Sequence, residues 1–211
     1  MRQGKFITLE GGEGAGKSTQ ATRLSEGLRR RGLEVLQTRE PGGSVGAEAL
    51  RDLLIHGETA RWDGPTEALL HYAARRDHLV KTIWPALNQG QWVVCDRFAD
   101  STLAYQGYGH GISPEALYGL YAFAVGDFAP DLTFILDLPA ELGLARAEER
   151  NSGGARYEAM DLAFHERLRC GFLEIAAAHP KRCVVIDAQQ SRDAVAEAIE
   201  MALQERLELR P

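Results

Sequence analysis

Residues 9–20, LEGGEGAGKSTQ, combine glycines, a lysine and hydroxyl side chains at a spacing suited to holding phosphates. Gly11, four intervening residues, Gly16, Lys17 and Ser18 fit the P-loop pattern. Glycines let successive backbone amides point at anionic oxygens, and the lysine and hydroxyl serve the terminal phosphates and Mg²⁺. We expect this loop to bind nucleotide phosphates. Its candidate residues are Gly11, Gly12, Glu13, Gly14, Ala15, Gly16, Lys17, Ser18 and Thr19.

The P-loop alone does not distinguish hydrolysis of a nucleotide from transfer of its phosphoryl group. The sequence has no Asn-Lys-x-Asp segment of the kind that P-loop GTPases use to recognise guanine. Residues 149–158, ERNSGGARYE, have the glycine-rich composition of a movable lid, which we place at about 148–158. A lid excludes water, and a transferase needs this to avoid wasteful hydrolysis. The pattern therefore favours a kinase.

Asp96 and Arg97 follow a predicted strand at its carboxyl end, which is where ligands bind in open α/β sheets. We expect Arg97 to face the phosphates and Asp96 to orient Mg²⁺ or its water shell, together with Ser18. The alternative is a solvated surface ion pair. Asp137 and Asp187 also end predicted strands, but the first of them is followed by Leu138-Pro139 and could cap a helix.

The elements that must position these residues alternate along the chain. Short runs that are apolar on both faces predict buried parallel strands, and longer periodic segments between them predict helices. This alternation predicts an α/β, doubly wound, five-stranded parallel sheet flanked by helices, in a single domain spanning 1–211. The predicted strands are Lys5–Glu10, Leu33–Thr38, Gln91–Asp96, Leu132–Leu138 and Arg182–Ala188. The predicted helices are Thr19–Arg30, Val45–Ile55, Thr66–Gln89, Pro114–Gly126, Pro139–Arg150, Asp161–Ala178 and Arg192–Leu207.

Composition indicates which binding partners and which cellular compartment to expect. The 211 residues are 45% apolar with a net charge of −6, so bulk attraction to nucleic acid or to an anionic membrane is not expected. No apolar run approaches the ~20 residues of a membrane span. The three cysteines show no metal-ligand or disulfide spacing, which fits a reducing cytoplasm.

Three further stretches carry a family resemblance. TREPGG (38–43), HYAARRDH (71–78) and DRFADSTLAYQG (96–107) follow EGGEGAGKST in order, and this combination resembles the bacterial thymidylate kinases. The similarity runs from about Lys5 to Gln204. It implies a homodimeric P-loop kinase that uses ATP and Mg²⁺ to phosphorylate the small-molecule substrate dTMP to dTDP, in nucleotide biosynthesis.

The resemblance also implies which residues read the base. In the family, an aromatic residue in the HYAARR-type segment stacks on thymine and an arginine four residues later bonds a base oxygen. Here these positions are predicted to be Tyr72 and Arg76, which a spacing of four places on one helix face. Tyr72 could instead be a core aromatic, and the adjacent Arg75 is an alternative to Arg76.

Further acceptor residues follow from the same resemblance. Thr102, Tyr105 and Gln106 match positions around the base and sugar, with Ser101 as a nearby polar alternative. The ring of Tyr105 would occupy the space of a ribose 2′-hydroxyl and so favour deoxyribose. Arg39 and Arg97 resemble the pair that holds the 5′-phosphate of the acceptor.

The family comparison assigns the remaining catalytic candidates. Glu13 is expected to lie towards the acceptor sugar and to help place Mg²⁺. Because residues 12–15 contain no arginine, the missing cation is expected from the lid, through Arg150 and Arg156. Glu158 is a further candidate for holding Mg²⁺.

Three other functions remain open at this point. One is a nucleotide kinase with a different base preference. Another is a P-loop switch protein that hydrolyses slowly, and the third is a scaffold with an inactive loop.

Overall fold

Five parallel strands form one sheet in the part of the chain that the computed structural model describes, residues 4–149 and 156–207. The strand order is β2-β3-β1-β4-β5, so β1 lies in the centre and Thr8 is opposite both Cys95 and Thr133. The predicted five-stranded parallel sheet is confirmed. The strands are β1 (Phe6–Glu10), β2 (Val35–Arg39), β3 (Trp92–Asp96), β4 (Leu132–Asp137) and β5 (Cys183–Asp187).

Nine α-helices surround the sheet in the same described ranges. They are α1 (Lys17–Arg30), α2 (Val45–Ile55), α3 (Gly64–His78), α4 (Trp84–Asn88), α5 (Ala99–Thr102), α6 (Pro114–Ala124), α7 (Ala140–Glu149), α8 (Leu162–Ala178) and α9 (Arg192–Leu207). A short 3₁₀ turn covers Thr59–Arg61. None of the described helices has the length and apolarity that a membrane crossing requires.

The alternation of side chains along β1 divides the core into two layers. Ile7 and Leu9 pack with α1 and α9, whereas Phe6 packs with the helices on the opposite face. Both faces of β1, β3 and β4 are buried, which explains their mainly apolar sequences. The edge strands β2 and β5, which were also predicted to be buried, are partly exposed. The loops at the carboxyl ends of the strands are left free to build a site.

Two π-helical segments modify the predicted helices. Residues Leu79–Ile83 join α3 to α4, within the single helix that the periodicity predicts. Residues Leu103–Gly109 continue α5 and form an element that the hydrophobic pattern does not predict. Such π turns concentrate at functional sites, and this one carries Tyr105 and Gln106.

Candidate active site

The P-loop joins β1 to α1 and requires glycine at particular points. Gly14 has φ 66°, and a Cβ there would lie 2.0 Å from the carbonyl oxygen of Gly143. Gly16, at φ 89°, caps the amino terminus of α1. The backbone amides at this helix start are therefore free to receive an anion.

Lys17 is buried at the bottom of this loop. Its Nζ donates to the carbonyl oxygen of Gly12 at 2.6 Å, and only 7% of the residue is exposed. Burial and the nearby charge of Arg97 lower the pKa of Lys17 to about 8. A polyphosphate beside the ammonium group would favour its charged form and raise that pKa again.

We therefore expect ATP binding near pH 8 to be accompanied by net proton uptake at Lys17. Calorimetric titration in buffers of different ionisation enthalpy measures the protons taken up, and uptake should decline towards pH 6, where the free lysine is already charged. Lys17→Met is the matched control, since it removes the titrating group. Uptake that is equal in both proteins would contradict the assignment.

Arg97 projects from the end of β3 into the space beside the P-loop. Its Nη1 donates to the Gly11 carbonyl at 3.0 Å and to Ser101 Oγ at 3.2 Å, and its Nη2 to Glu13 Oε1 at 2.9 Å. Arg97 adopts φ 71°, a left-handed conformation that costs a non-glycine residue about 1 kcal/mol or more. The backbone is therefore strained at Arg97, the residue whose guanidinium lies beside the P-loop.

Glu10 supports this strained turn from below. Its Oε1 accepts the amide of Phe98 at 2.7 Å, and its Oε2 accepts the hydroxyl of Ser101 at 2.5 Å. Burial and the charge of Asp100 raise the pKa of Glu10 to about 7. Through Ser101, Glu10 helps to fix the guanidinium of Arg97.

Glu13, in the P-loop, lines the cavity beside Arg97 and Tyr105. Its Oε1 receives the hydroxyl of Tyr105 at 2.5 Å as well as Arg97. Burial alone would raise the pKa of Glu13, but the charges of Arg97 and Lys17 and the bond from Tyr105 bring it down to about 2. Glu13 is therefore a carboxylate at neutral pH.

Ser18 and Asp96 form the pair best suited to Mg²⁺. The hydroxyl of Ser18 donates to Asp96 Oδ2 at the mouth of the P-loop. Within the described residues, no group of three or more His, Cys, Asp or Glu side chains could hold a metal ion. Mg²⁺ in kinases typically uses one or two protein oxygens together with substrate phosphates, so this pair fits.

A cavity of about 220 Å³ opens beside the P-loop and contains most of the predicted acceptor residues. Arg39, Asp96, Arg97, Ser101, Thr102, Tyr105 and Gln106 all line it, as do Glu13, Gly14, Gly16, Lys17 and Ser18. Gly11, Gly12, Ala15 and Thr19, which were also predicted to contact the nucleotide, do not line this cavity.

The two residues predicted to contact the base, Tyr72 and Arg76, lie outside the cavity lining. Tyr72 is 3% exposed in the core, and its hydroxyl donates to the Leu117 carbonyl at 3.3 Å. Arg76 donates to the Ala124 carbonyl and lies over the Trp84 ring. Neither of the two lines the cavity, because one residue turns a helix by ~100° and directs these side chains elsewhere.

His71 and Arg75 occupy the cavity wall instead, and they keep the predicted spacing of four. Nε2 of His71 is 3.0 Å from the hydroxyl of Tyr157. Burial and the charges of Arg75 and Arg156 lower the pKa of His71 to about 3, so its imidazole is neutral. A neutral flat ring on this wall is suited to stacking on a base.

Arg75 is fixed rigidly by its neighbours. Its Nε donates to Glu40 Oε2 at 2.8 Å, and its Nη2 donates to the Phe98 carbonyl and to Thr102 Oγ1. Nη1 is buried and finds no partner among the described residues. Oε1 of Gln106 is likewise buried and unpaired in the described part of the chain. Arg75 and Gln106 both line the cavity, and these two atoms are one donor and one acceptor without a protein partner in the described residues.

Two further arginines, Arg39 and Arg51, line the cavity. Arg39 is paired with Glu48 at 3.1 Å and is half exposed. Arg51, which the sequence interpretation missed, donates to the Pro41 carbonyl at 2.7 Å and also lines the cavity. Arg51 lies in the middle of helix α2 and belongs to no sequence motif, so the sequence did not indicate that it lines the cavity.

The structure does not place Arg156 at the donor phosphates. Its guanidinium forms a buried ion pair with Glu67 and donates to the carbonyls of Leu54 and Thr59. Arg150 lies outside the described residues. Glu158 is described but does not line the cavity, so its role in holding Mg²⁺ stays a prediction.

A P-loop at the carboxyl edge of a five-stranded parallel sheet, opening on a cavity that arginines also line, defines a P-loop phosphotransferase of the nucleoside monophosphate kinase class. The family profile for thymidylate kinase matches residues 9–199. The chain belongs to the thymidylate kinase family.

Individual relatives agree along nearly the whole chain. A thymidylate kinase from Caulobacter vibrioides is 56% identical, and the alignment covers 99% of this chain and 100% of the relative. One from Bradyrhizobium sp. is 50% identical over 97% of this chain and 92% of its own. A crystal structure of thymidylate kinase from Ehrlichia chaffeensis superposes with a TM-score of 0.76 at 37% identity, covering 95% of this chain and 99% of that one.

Proposed function

We propose that this protein transfers the terminal phosphoryl group of ATP to dTMP, giving dTDP and ADP, in the cytoplasmic supply of dTTP. The observation that carries the proposal is the unpaired pair on the cavity wall, Arg75 Nη1 as donor and Gln106 Oε1 as acceptor. Thymine presents a complementary edge, with O4 as acceptor and N3–H as donor. Burying two polar groups unpaired is unfavourable, so a ligand that pairs both is strongly preferred.

The chemistry requires alignment and charge neutralisation more than covalent participation. The P-loop amides and Lys17 hold the donor phosphates, while Arg39 and Arg51 hold the phosphate of the acceptor. Arg97 lies between the two groups and neutralises charge on the migrating phosphoryl. The acceptor phosphate has a second pKa of ~6 and is largely ionised at neutral pH, so no general base is needed.

Ser18 and Asp96 would hold Mg²⁺, which when bound neutralises charge on the donor phosphates. Glu13 and Tyr105 close the side of the pocket where the acceptor sugar would lie. The short hydrogen bond from the Tyr105 hydroxyl to Glu13 leaves little room for a 2′-hydroxyl beside the aromatic ring of Tyr105. This favours a deoxyribose over a ribose.

A coupled assay of ADP release tests the proposal. With Mg-ATP as donor, we expect rapid turnover of dTMP and much slower turnover of dCMP and dGMP. Lys17→Met is the control for contaminating kinases, and it should abolish release with every acceptor. Pure protein that leaves dTMP unphosphorylated, or that prefers another base, would refute the proposed function.

We propose further that two copies of the chain associate through the exposed faces of α3 and α6. Large apolar side chains are exposed on both of these packed helices: Leu69 is 57% exposed, Tyr118 54% and Phe123 91%. Exposed apolar groups clustered on neighbouring helices are typical of a protein–protein interface. A two-fold axis through this face would bury each copy's patch against its equivalent.

Phe123→Asp is expected to shift the protein from dimer to monomer, because a carboxylate would enter the apolar interface. Light scattering coupled to size-exclusion chromatography measures the mass. Met201→Asp, on the exposed face of α9, is the matched control and should leave the mass unchanged. A monomeric parent protein, or a Phe123→Asp variant of unchanged mass, would contradict this interface.

A further inference from the structure

Glu67, on α3, is a fully buried carboxylate that the mechanism above does not use. Its Oε2 accepts Nε2 of Gln106 at 3.0 Å and the hydroxyl of Tyr157 at 3.1 Å. Arg156 forms an ion pair with it, and Nε2 of His110 lies 3.5 Å away. All the groups around this carboxylate can act as donors.

This environment determines which way the amide of Gln106 faces. An ionised carboxylate accepts hydrogen bonds and cannot donate one, so the amide NH₂ of Gln106 must face Glu67. The amide oxygen is then turned away from Glu67, and it has no protein partner among the described residues. Gln106 is itself 0% exposed and has no solvent to turn towards.

We infer that Glu67 is a positioning residue that sets base selectivity, by holding Gln106 so that it presents only an acceptor to the base. This inference rests on the proposed function and names the discriminating contact within it. Pyrimidines with N3–H and O4 match Gln106 and Arg75. Cytosine has an unprotonated N3 and a 4-amino group. Its N3 acceptor would lie opposite the acceptor of Gln106, and its 4-amino donor opposite the donor of Arg75.

Two substitutions at position 67 separate this role from simple support of the fold. Glu67→Gln keeps the size of the side chain but supplies an NH₂, so Gln106 can turn over and offer its own NH₂ to the base. Glu67→Asp shortens the side chain but remains an acceptor only. If the residue merely supported the fold, either substitution would lower the Tm, and neither would change the preference between bases.

The measured quantity is the ratio of kcat/KM for dTMP to kcat/KM for dCMP, which a general loss of active protein does not change. We expect Glu67→Gln to lower the ratio by about tenfold or more, as befits one mispaired buried group. Glu67→Asp should keep the ratio within about threefold of the parent value, even with a lower Tm, because the acceptor-only character persists.

A double-mutant cycle with Gln106→Leu tests whether the effect passes through Gln106. Gln106→Leu should lower the ratio by itself, and adding Glu67→Gln to it should lower the ratio no further. Effects that multiply in the double variant would overturn the inference. An unchanged ratio in Glu67→Gln, or equal losses in the Gln and Asp variants, would do the same.

Glu67→Gln leaves the buried Arg156 without its charge partner, and this could prevent folding. In that event Glu67→Gln combined with Arg156→Gln removes both charges together, and the same loss of ratio is expected. A folded double variant that keeps the parent ratio would overturn the inference. A parent protein that does not turn over dTMP refutes the proposed function instead, so the two failures are distinguishable.

Discussion

Replacing Arg97 with alanine is expected to lower kcat for dTMP by about 10³-fold or more. The guanidinium is the cation that lies between the P-loop and the acceptor pocket, in contact with both the Gly11 carbonyl and Glu13. Alanine also leaves the carboxylate of Glu13 short of one of its two nearest positive charges. The negative charge of the migrating phosphoryl group would then be repelled by the Glu13 carboxylate, which Arg97 no longer neutralises.

Single-turnover kinetics at saturating ATP and dTMP measure the chemical step directly. Arg97→Lys should recover part of the rate, since it restores a charge but cannot bond Gly11, Ser101 and Glu13 together. Arg167→Ala is the matched control, because Arg167 donates only to the Gly109 carbonyl in the described structure and does not line the cavity. A loss smaller than tenfold in Arg97→Ala would show that transition-state charge is neutralised elsewhere.

The sheet and the P-loop could be predicted from the sequence because each depends on local information. Strands buried on both faces are mainly apolar, as in β1 and β4. The loop needs glycine where a Cβ would collide with Gly143, so its pattern is dictated by backbone geometry. Similar reasoning places Asp96 and Arg97, since the carboxyl end of a parallel strand is a predictable location.

The base pocket could not be predicted to the residue, because a spacing of four fits more than one pair along the same helix. Tyr72 with Arg76 and His71 with Arg75 have the same spacing, and only tertiary packing decides which pair faces the cavity. The buried ion pair of Arg156 could not be predicted for a related reason. Its partner Glu67 is 89 positions away in the sequence, so no local pattern announces the pair.

The second large effect is expected from replacing Arg75 rather than Arg76. Arg75→Met is expected to raise KM for dTMP by about 10²-fold, because the donor to the base is lost and the acceptor of Gln106 remains alone. The same change should lower the free energy of unfolding by about 3–5 kcal/mol, since it leaves the buried carboxylate of Glu40 without its guanidinium partner. Arg76→Met should leave KM for dTMP unchanged, because Arg76 does not line the cavity.

Combining Arg75→Met with Glu40→Gln separates binding from stability. The second substitution removes the unpaired charge, so denaturant unfolding should show most of the lost stability restored. In the parent protein His78 Nδ1 lies 3.1 Å from Glu40 Oε1, and in the variant it faces the amide of the glutamine instead. The KM for dTMP should remain high, because no donor faces the base. If KM returned to the parent value with stability, Arg75 would act only through the fold. If Arg76→Met were the variant that lost dTMP, the proposed position of the base contact would be wrong.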